Sequence, residues 1–126
     1  MILRKNIIVL FRVKKPKIKS FFSINKKVAG ESYKSKIKKI SRILKRYNSD
    51  YLFVSAPENV AWALNIRGSD NPYSPTPNSR LIIGKNKKVY LIVKKKKTLK
   101  IIREKKINEK QIIAPENFLN LINKLK

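Results

Sequence analysis

The sequence predicts an α/β domain, a mixed β-sheet flanked by helices and folded as one unit. Three observations carry this. A strongly amphipathic helical pattern runs from Glu31 to Tyr47. Short apolar runs bounded by turn residues alternate with helical segments. One pair of such runs is joined by Gly84-Lys85-Asn86-Lys87, which has the chemistry of a hairpin loop. At 126 residues the chain is long enough for one domain with a core and too short for two.

Residues 1–29 read as a lead-in, either a linker or the tail of a preceding domain. Within it Ile7-Ile8-Val9-Leu10-Phe11 is apolar enough for a buried strand, and Val13-Lys14-Lys15-Pro16-Lys17 is a basic, Pro-broken linker. The α/β domain proper is expected over 30–126. Its first helix is entered after Gly30 with Ser32 as N-cap. Ile37, Ile40, Ile43, Leu44 and Tyr47 make the inward face, while Lys34, Lys38, Lys39, Lys45 and Arg46 fill much of the other. Asn48-Ser49-Asp50 closes it, and Tyr51-Leu52-Phe53-Val54 follows as a short, fully buried strand.

Ser55-Ala56-Pro57-Glu58 matches a capping box with Pro in the first turn. The helix through Val60, Trp62 and Leu64 is short, because Gly68 and the Pro-rich run beyond it cannot continue a helix. Arg80–Ile83 and Val89–Val93 form the hairpin. Lys96–Lys106 is expected as a basic helix carrying Leu99, Ile101 and Ile102 inward. Gln111–Ile113 is a further strand, and Ala114-Pro115-Glu116 opens a final helix with Phe118, Leu119, Ile122 and Leu125 at helical spacing.

The chain has no Cys and no His. That removes disulfides, thiolate metal sites, cysteine nucleophiles, the commonest general base and every Ser-His arrangement. The seven carboxylates, Glu31, Asp50, Glu58, Asp70, Glu104, Glu109 and Glu116, are scattered singly. No catalytic residue and no metal ligand is therefore assigned. The net charge of +25 suggests a nucleic-acid partner. However, the 25 Lys, 18 Ile and 12 Asn all have A/T-rich codons, against only seven Arg, so compositional drift of the gene accounts for the excess. A basic nucleic-acid-binding module using Lys14–Lys19, Lys34–Lys39 and Lys94–Lys97 stands as the alternative. It lacks aromatics interleaved with the basic runs. No signal peptide and no membrane span is visible, so the expected compartment is the cytoplasm.

The densest pattern is Ala61-Trp62-Ala63-Leu64-Asn65-Ile66-Arg67-Gly68-Ser69-Asp70-Asn71-Pro72-Tyr73-Ser74-Pro75, which holds the single Trp, one of three Gly and two of six Pro. Gly68 allows a positive φ or a close backbone approach. Pro72, Pro75 and Pro77 stiffen the loop. Two readings are open. In one, Arg67 and Asp70 pair to hold the loop's shape, with Trp62 and Tyr73 as packing. In the other, Arg67 or Tyr73 lines the mouth of a catalytic site in its own or a neighbouring subunit. For Trp62 itself the expectation is core packing. The candidate loop residues are Asn65, Arg67, Gly68, Asp70, Pro72 and Tyr73.

Gly30-Glu31-Ser32 before a Lys-rich helix, then Asp50-Tyr51-Leu52-Phe53-Val54, then the Ala61–Pro75 segment, resembles aminopeptidase P. These are the Xaa-Pro aminopeptidases of the creatinase/prolidase superfamily, and the likeness is to the second, non-catalytic domain of their three-domain form. It covers about Lys14 to the C-terminus. The family usually has a larger apolar residue where this chain has Ala63, and apolar residues where it has Thr76-Pro77-Asn78. The resemblance implies a creatinase/prolidase N-terminal-like α/β fold. It implies a non-catalytic domain, as a fragment or a separate subunit, that contributes to substrate gating and subunit contacts. Its partner would be a pita-bread catalytic domain in cis or in trans, holding two divalent metals, usually manganese, and the peptide substrate would bind only with that domain. A homodimer also fits the family, whereas a membrane does not.

Overall fold

Residues 19–126 are described by a computed structural model. The chain runs along Phe22–Ser23 (β1), makes one helical turn at Lys26–Ala29 (α1) and continues into the helix Tyr33–Arg46 (α2). Tyr51–Val54 (β2), Pro57–Leu64 (α3), Ile66–Arg67 (β3), Arg80–Gly84 (β4) and Val89–Ile92 (β5) follow. The last elements are Leu99–Arg103 (α4), Ile112–Ile113 (β6) and Phe118–Leu125 (α5), with 3-10 turns at Lys95–Lys97, Glu109–Gln111 and Pro115–Asn117. The main sheet has the order β2-β4-β5-β6 and is mixed: its β2–β4 and β4–β5 pairs are antiparallel, and β5–β6 is parallel. β1 and β3 make a separate antiparallel pair. The α/β architecture with a mixed sheet is the one the alternation of patterns predicts.

Side chains alternate across the sheet and build two cores. On one face Leu81, Ile83, Val89 and Leu91 meet Ile37 of α2, Val60 and Leu64 of α3, and Ile101 of α4. On the other, Ile82 and Ile92 meet Leu121 of α5, with Phe118 and Tyr90 partly buried beside them. β4 is covered on both faces, which explains its unbroken apolar run Leu81-Ile82-Ile83.

Ser32 caps α2 as expected, its hydroxyl accepting from the Ser35 N–H at 3.2 Å. Other expectations need correction. β2 is not buried: Tyr51, Leu52 and Phe53 are 38%, 39% and 46% exposed, because among the described residues β2 is an edge strand whose only neighbour is β4. The Ser55 capping box does not form. α3 starts at Pro57 with Ala56 at the N-cap and no side-chain cap, so the Ser55 hydroxyl stands one residue too early. Ile43, Tyr47, Leu99 and Leu119 are exposed, at the margins of helix faces whose centres are Ile37, Leu44, Ile101 and Leu121. The 96–106 segment splits at Thr98 into a 3-10 turn and the short α4.

The lead-in is also shorter than 1–29. Phe21 is fully buried in the main core, β1 pairs with β3, and the Phe21 N–H donates to the Lys97 carbonyl at 2.7 Å. The packed unit therefore includes residues ahead of Gly30. The Ile7–Phe11 strand lies outside the described residues.

Three carboxylates staple these elements. Glu31 is bonded by Lys39 at 2.6 Å and by the Ser35 hydroxyl at 2.7 Å. Glu104 accepts from the N–H of Ser23 at 3.1 Å and from its hydroxyl. Glu109 pairs with Lys95. Lys39, Ser23 and Lys95 respectively hold these carboxyls below the ordinary value of 4.5. The folded state thus binds fewer protons than the unfolded chain between the lowered values and 4.5. Their stabilisation is complete above that range and is lost as pH falls through the folded values. We expect the urea midpoint to hold near neutrality and drop in acid, with a shallower drop in Glu104→Gln. Equal drops in both proteins would remove Glu104 from the account.

Candidate functional site

The loop from Asn65 to Pro77 is built outward from the end of α3. Asn65 takes the left-handed conformation (φ 52°, ψ 48°), which Asn tolerates better than most residues, and this turns the chain out of the helix. Its side chain is buried. Its Oδ1 accepts from Lys36 Nζ at 2.7 Å and its Nδ2 donates to the Glu31 carbonyl at 2.8 Å, so the end of α3 is bolted to the start of α2. Ile66 is fully buried, and β3 then pairs Arg67 with Phe22.

At Gly68 the chain passes against its own return. A Cβ there would lie 2.8 Å from Pro77 Cα, 3.0 Å from Phe21 Cδ1 and 3.0 Å from the Thr76 carbonyl oxygen. The close-approach reading of Gly68 is therefore the right one, since its φ is not positive. Its N–H donates to the Pro75 carbonyl at 3.0 Å and closes the loop. Asp70 fixes the far side: Oδ1 receives Lys97 Nζ at 2.9 Å and Oδ2 accepts from the Asn78 N–H at 2.8 Å. At the tip, Asn71 Oδ1 accepts from the Tyr73 N–H at 3.0 Å, and the Tyr73 ring is 96% exposed.

These contacts replace the expected Arg67–Asp70 pair. Arg67 Nη1 turns back over the end of α3 and donates to the Ile66 carbonyl at 2.8 Å and the Ala61 carbonyl at 3.3 Å. Asp70 lies beyond the Gly68 crossing and takes its cation from the Lys95–Lys97 turn instead. Among the described residues nothing covers the Tyr73 ring. Trp62 is not a core residue either, being 52% exposed. It stands two residues from Val60 and from Leu64, about 200° round the helix from each, so a face that buries those two turns it outward.

Lys36 is the site residue the pattern reading missed. It is 3% exposed, its Nζ donates to the Trp62 carbonyl at 2.8 Å as well as to Asn65, and it sits 4.6 Å from the Trp62 ring centroid. The signal was its spacing, four and eight residues before Ile40 and Leu44. Burial lowers the Lys36 pKa; the charge of Glu31 opposes this and that of Arg67 adds to it. Lys36, Arg67, Glu58, Trp62 and the Ser74–Thr76 backbone border one pocket of about 320 Å³.

The carboxylates do not fit a metal centre. Among the described residues no three of His, Cys, Asp or Glu come together to hold an ion. Glu31, Asp50, Asp70 and Glu109 are each paired with a different lysine, and Glu104 is held by Ser23. Also among the described residues, no helix is long and apolar enough to cross a membrane.

Comparison with known proteins gives a consistent answer. Xaa-Pro aminopeptidase 1 of Dictyostelium discoideum is 32% identical over 91 residues, which are 72% of this chain and 13% of that protein. Xaa-Pro aminopeptidase ApepP of Drosophila melanogaster is 36% identical over 69 residues, 55% of this chain and 11% of that protein. The chain thus spans a small part of the curated relatives it matches. Among solved structures, an X-prolyl aminopeptidase from Caenorhabditis elegans, described as a cytosolic enzyme with a di-nuclear active site, superposes with a TM-score of 0.72. That match has 21% identity and covers 93% of this chain and 19% of the other, so it supports the fold. The family model of the creatinase/prolidase N-terminal domain matches residues 13–126. With nearly its whole length so matched, the chain belongs to the creatinase/prolidase N-terminal domain family.

Proposed function

We propose that this chain is a non-catalytic domain of a cytosolic, metal-dependent Xaa-Pro aminopeptidase. The Asn65–Pro77 loop shapes the approach to a catalytic centre carried by a separate domain, in cis or in trans. The observation behind this reading is a contrast within the loop. Its base is pinned by Gly68, Asp70 and Asn65, while Pro72 and the 96%-exposed Tyr73 are held out with no partner among the described residues. An aromatic ring presented on a stiff loop costs little entropy to dock. Peptide hydrolysis and the two divalent metals, manganese in this reading, are assigned to the other domain. Contacts with that domain or with a second copy of the chain are part of the same proposal.

The test is a hybrid enzyme in which this chain replaces the matching part of the Caenorhabditis elegans enzyme. Activity on Xaa-Pro peptides of increasing length is then compared with that of its Tyr73→Ala variant. We expect the ratio of kcat/KM between a long peptide and a dipeptide to change severalfold, with the dipeptide rate preserved. An unchanged ratio would take Tyr73 off the substrate path.

The nucleic-acid alternative gains nothing from the structure. Lys36 is buried, Lys95 is engaged by Glu109, and Lys97 is engaged by Asp70 and so holds the loop.

A further inference from the structure

Lys36 and Arg67 have no carboxylate partner. The four ion pairs of the described residues involve other cations, and residues 1–18 contain no Asp or Glu. The Lys36 ammonium, almost fully withdrawn from water, has only neutral acceptors, the Trp62 carbonyl and Asn65 Oδ1. Arg67 places one terminal nitrogen on two carbonyls, and its remaining N–H groups have no acceptor among the described residues. Both cations border the same pocket of about 320 Å³. An exposed lysine on a chain of net charge +25 needs no ligand to explain it. A lysine buried beside a second cation does, because Glu31 acts on it only through its field, burial without a bonded counter-charge is costly, and a bound anion relieves that cost.

From this arrangement we infer that the pocket binds a carboxylate, the C-terminal carboxylate of a short peptide. Charge selects a monoanion: among the groups that line the pocket Lys36 and Arg67 are positive and Glu58 is negative, a sum of one positive charge, and the field of Glu31 at Lys36 lowers it further. A dianion such as phosphate would exceed it. The planar fork of Arg67 suits a carboxylate, with Lys36 as a point charge beside it. Trp62, Val28, Ala61 and Pro75 supply apolar wall for the stem that carries the carboxylate. The site is a property of this chain alone, so it stands or falls independently of the part Tyr73 plays in a complete enzyme.

Trp62 is the chain's single Trp and lies in the pocket half-exposed, so its fluorescence reports occupancy. The 126-residue chain is titrated with acetyl-glycyl-glycine, with the same peptide amidated at its C-terminus, and with inorganic phosphate, at about 0.15 M salt where long-range attraction is screened. We expect a saturable change with the free acid only. Arg67→Gln should weaken it about tenfold or more, and Glu58→Gln should tighten it. Lys124→Gln, an equal loss of charge on α5 across the sheet, should leave it unchanged. Equal responses to acid and amide, no saturable response, or tighter binding of phosphate would overturn the inference. So would equal weakening by Arg67→Gln and Lys124→Gln, which would trace binding to the general field of the chain. Should Arg67→Gln fail to fold, the wild type decides: the acid must raise its melting temperature and the amide must not.

Discussion

Phe21→Ala is expected to cost about 3–5 kcal/mol of folding stability, the range for emptying a buried aromatic site. Phe21 is fully buried against Val60, Leu64, Ile66 and Ile101, at the junction of β1, α3 and α4. A domain of this size holds on the order of 5–15 kcal/mol in all, so the loss takes a large part of it. Urea unfolding of the variant at neutral pH gives the number directly. Deleting residues 1–29 should do more, because it removes Phe21, β1 and the Asn25-capped turn of α1 together. If Phe21→Ala unfolds within about 1 kcal/mol of wild type, below the range for such a site, the segment before Gly30 is a lead-in after all.

Gly68→Ala comes second, and its mechanism is the opposite, overfilling instead of emptying. The new methyl would stand 2.8 Å from Pro77 Cα and 3.0 Å from the Thr76 oxygen, both backbone atoms that cannot rotate aside. Overpacking of this kind costs about 1–3 kcal/mol, and a clash with backbone belongs at the upper end. The relief available is to push the loop outward, which breaks the Gly68–Pro75 hydrogen bond and frees Tyr73 and its neighbours for proteolysis. Two measurements check this, the unfolding midpoint and the rate of limited cleavage within 69–78. Gly30→Ala is the matched control. It carries the left-handed penalty of about 1–2 kcal/mol but meets no atom within 4 Å, so it should leave the loop uncut. Because the Gly68 methyl also meets Phe21 Cδ1 at 3.0 Å, Phe21→Leu and Gly68→Ala should not add.

Periodicity made α2, the hairpin and the final helix legible, because each is long enough to repeat its pattern several times. It failed where two positions or fewer had to decide. Trp62 lies in a short apolar helix, which suggests core packing, but it stands two residues from both Val60 and Leu64, and helical geometry turns it away from the face that buries them. β2 is as apolar as a buried strand, and only the sheet order reveals that it lies at an edge. Within the loop, the special role of Gly68 was readable from its Pro-rich surroundings. The partner of Asp70 was not, since Lys97 is 27 residues away and is one of a run of four lysines. Lys36 is obscured by composition: in a helix with four other lysines, a fifth reads as solvated surface.

The β2 edge bears on how the chain behaves as a colloid. Among the described residues β2 has no strand on its outer side, which leaves Tyr51, Leu52 and Phe53 partly exposed and one line of backbone hydrogen-bonding groups unpaired at the border of the sheet. Such a border is a template for another copy's strand. Among the described residues no strand covers it, but every molecule carries a net charge of +25, and mutual repulsion keeps the borders apart in dilute buffer. That protection has a range of about 10 Å at 0.1 M salt and about 3 Å at 1 M. The chain should therefore stay monodisperse at low ionic strength and self-associate as salt rises, the reverse of a protein held together by ion pairs. Phe53→Lys should abolish the salt-induced association in light scattering, with a lower unfolding midpoint because the Phe53 ring packs 5.4 Å from that of Phe118.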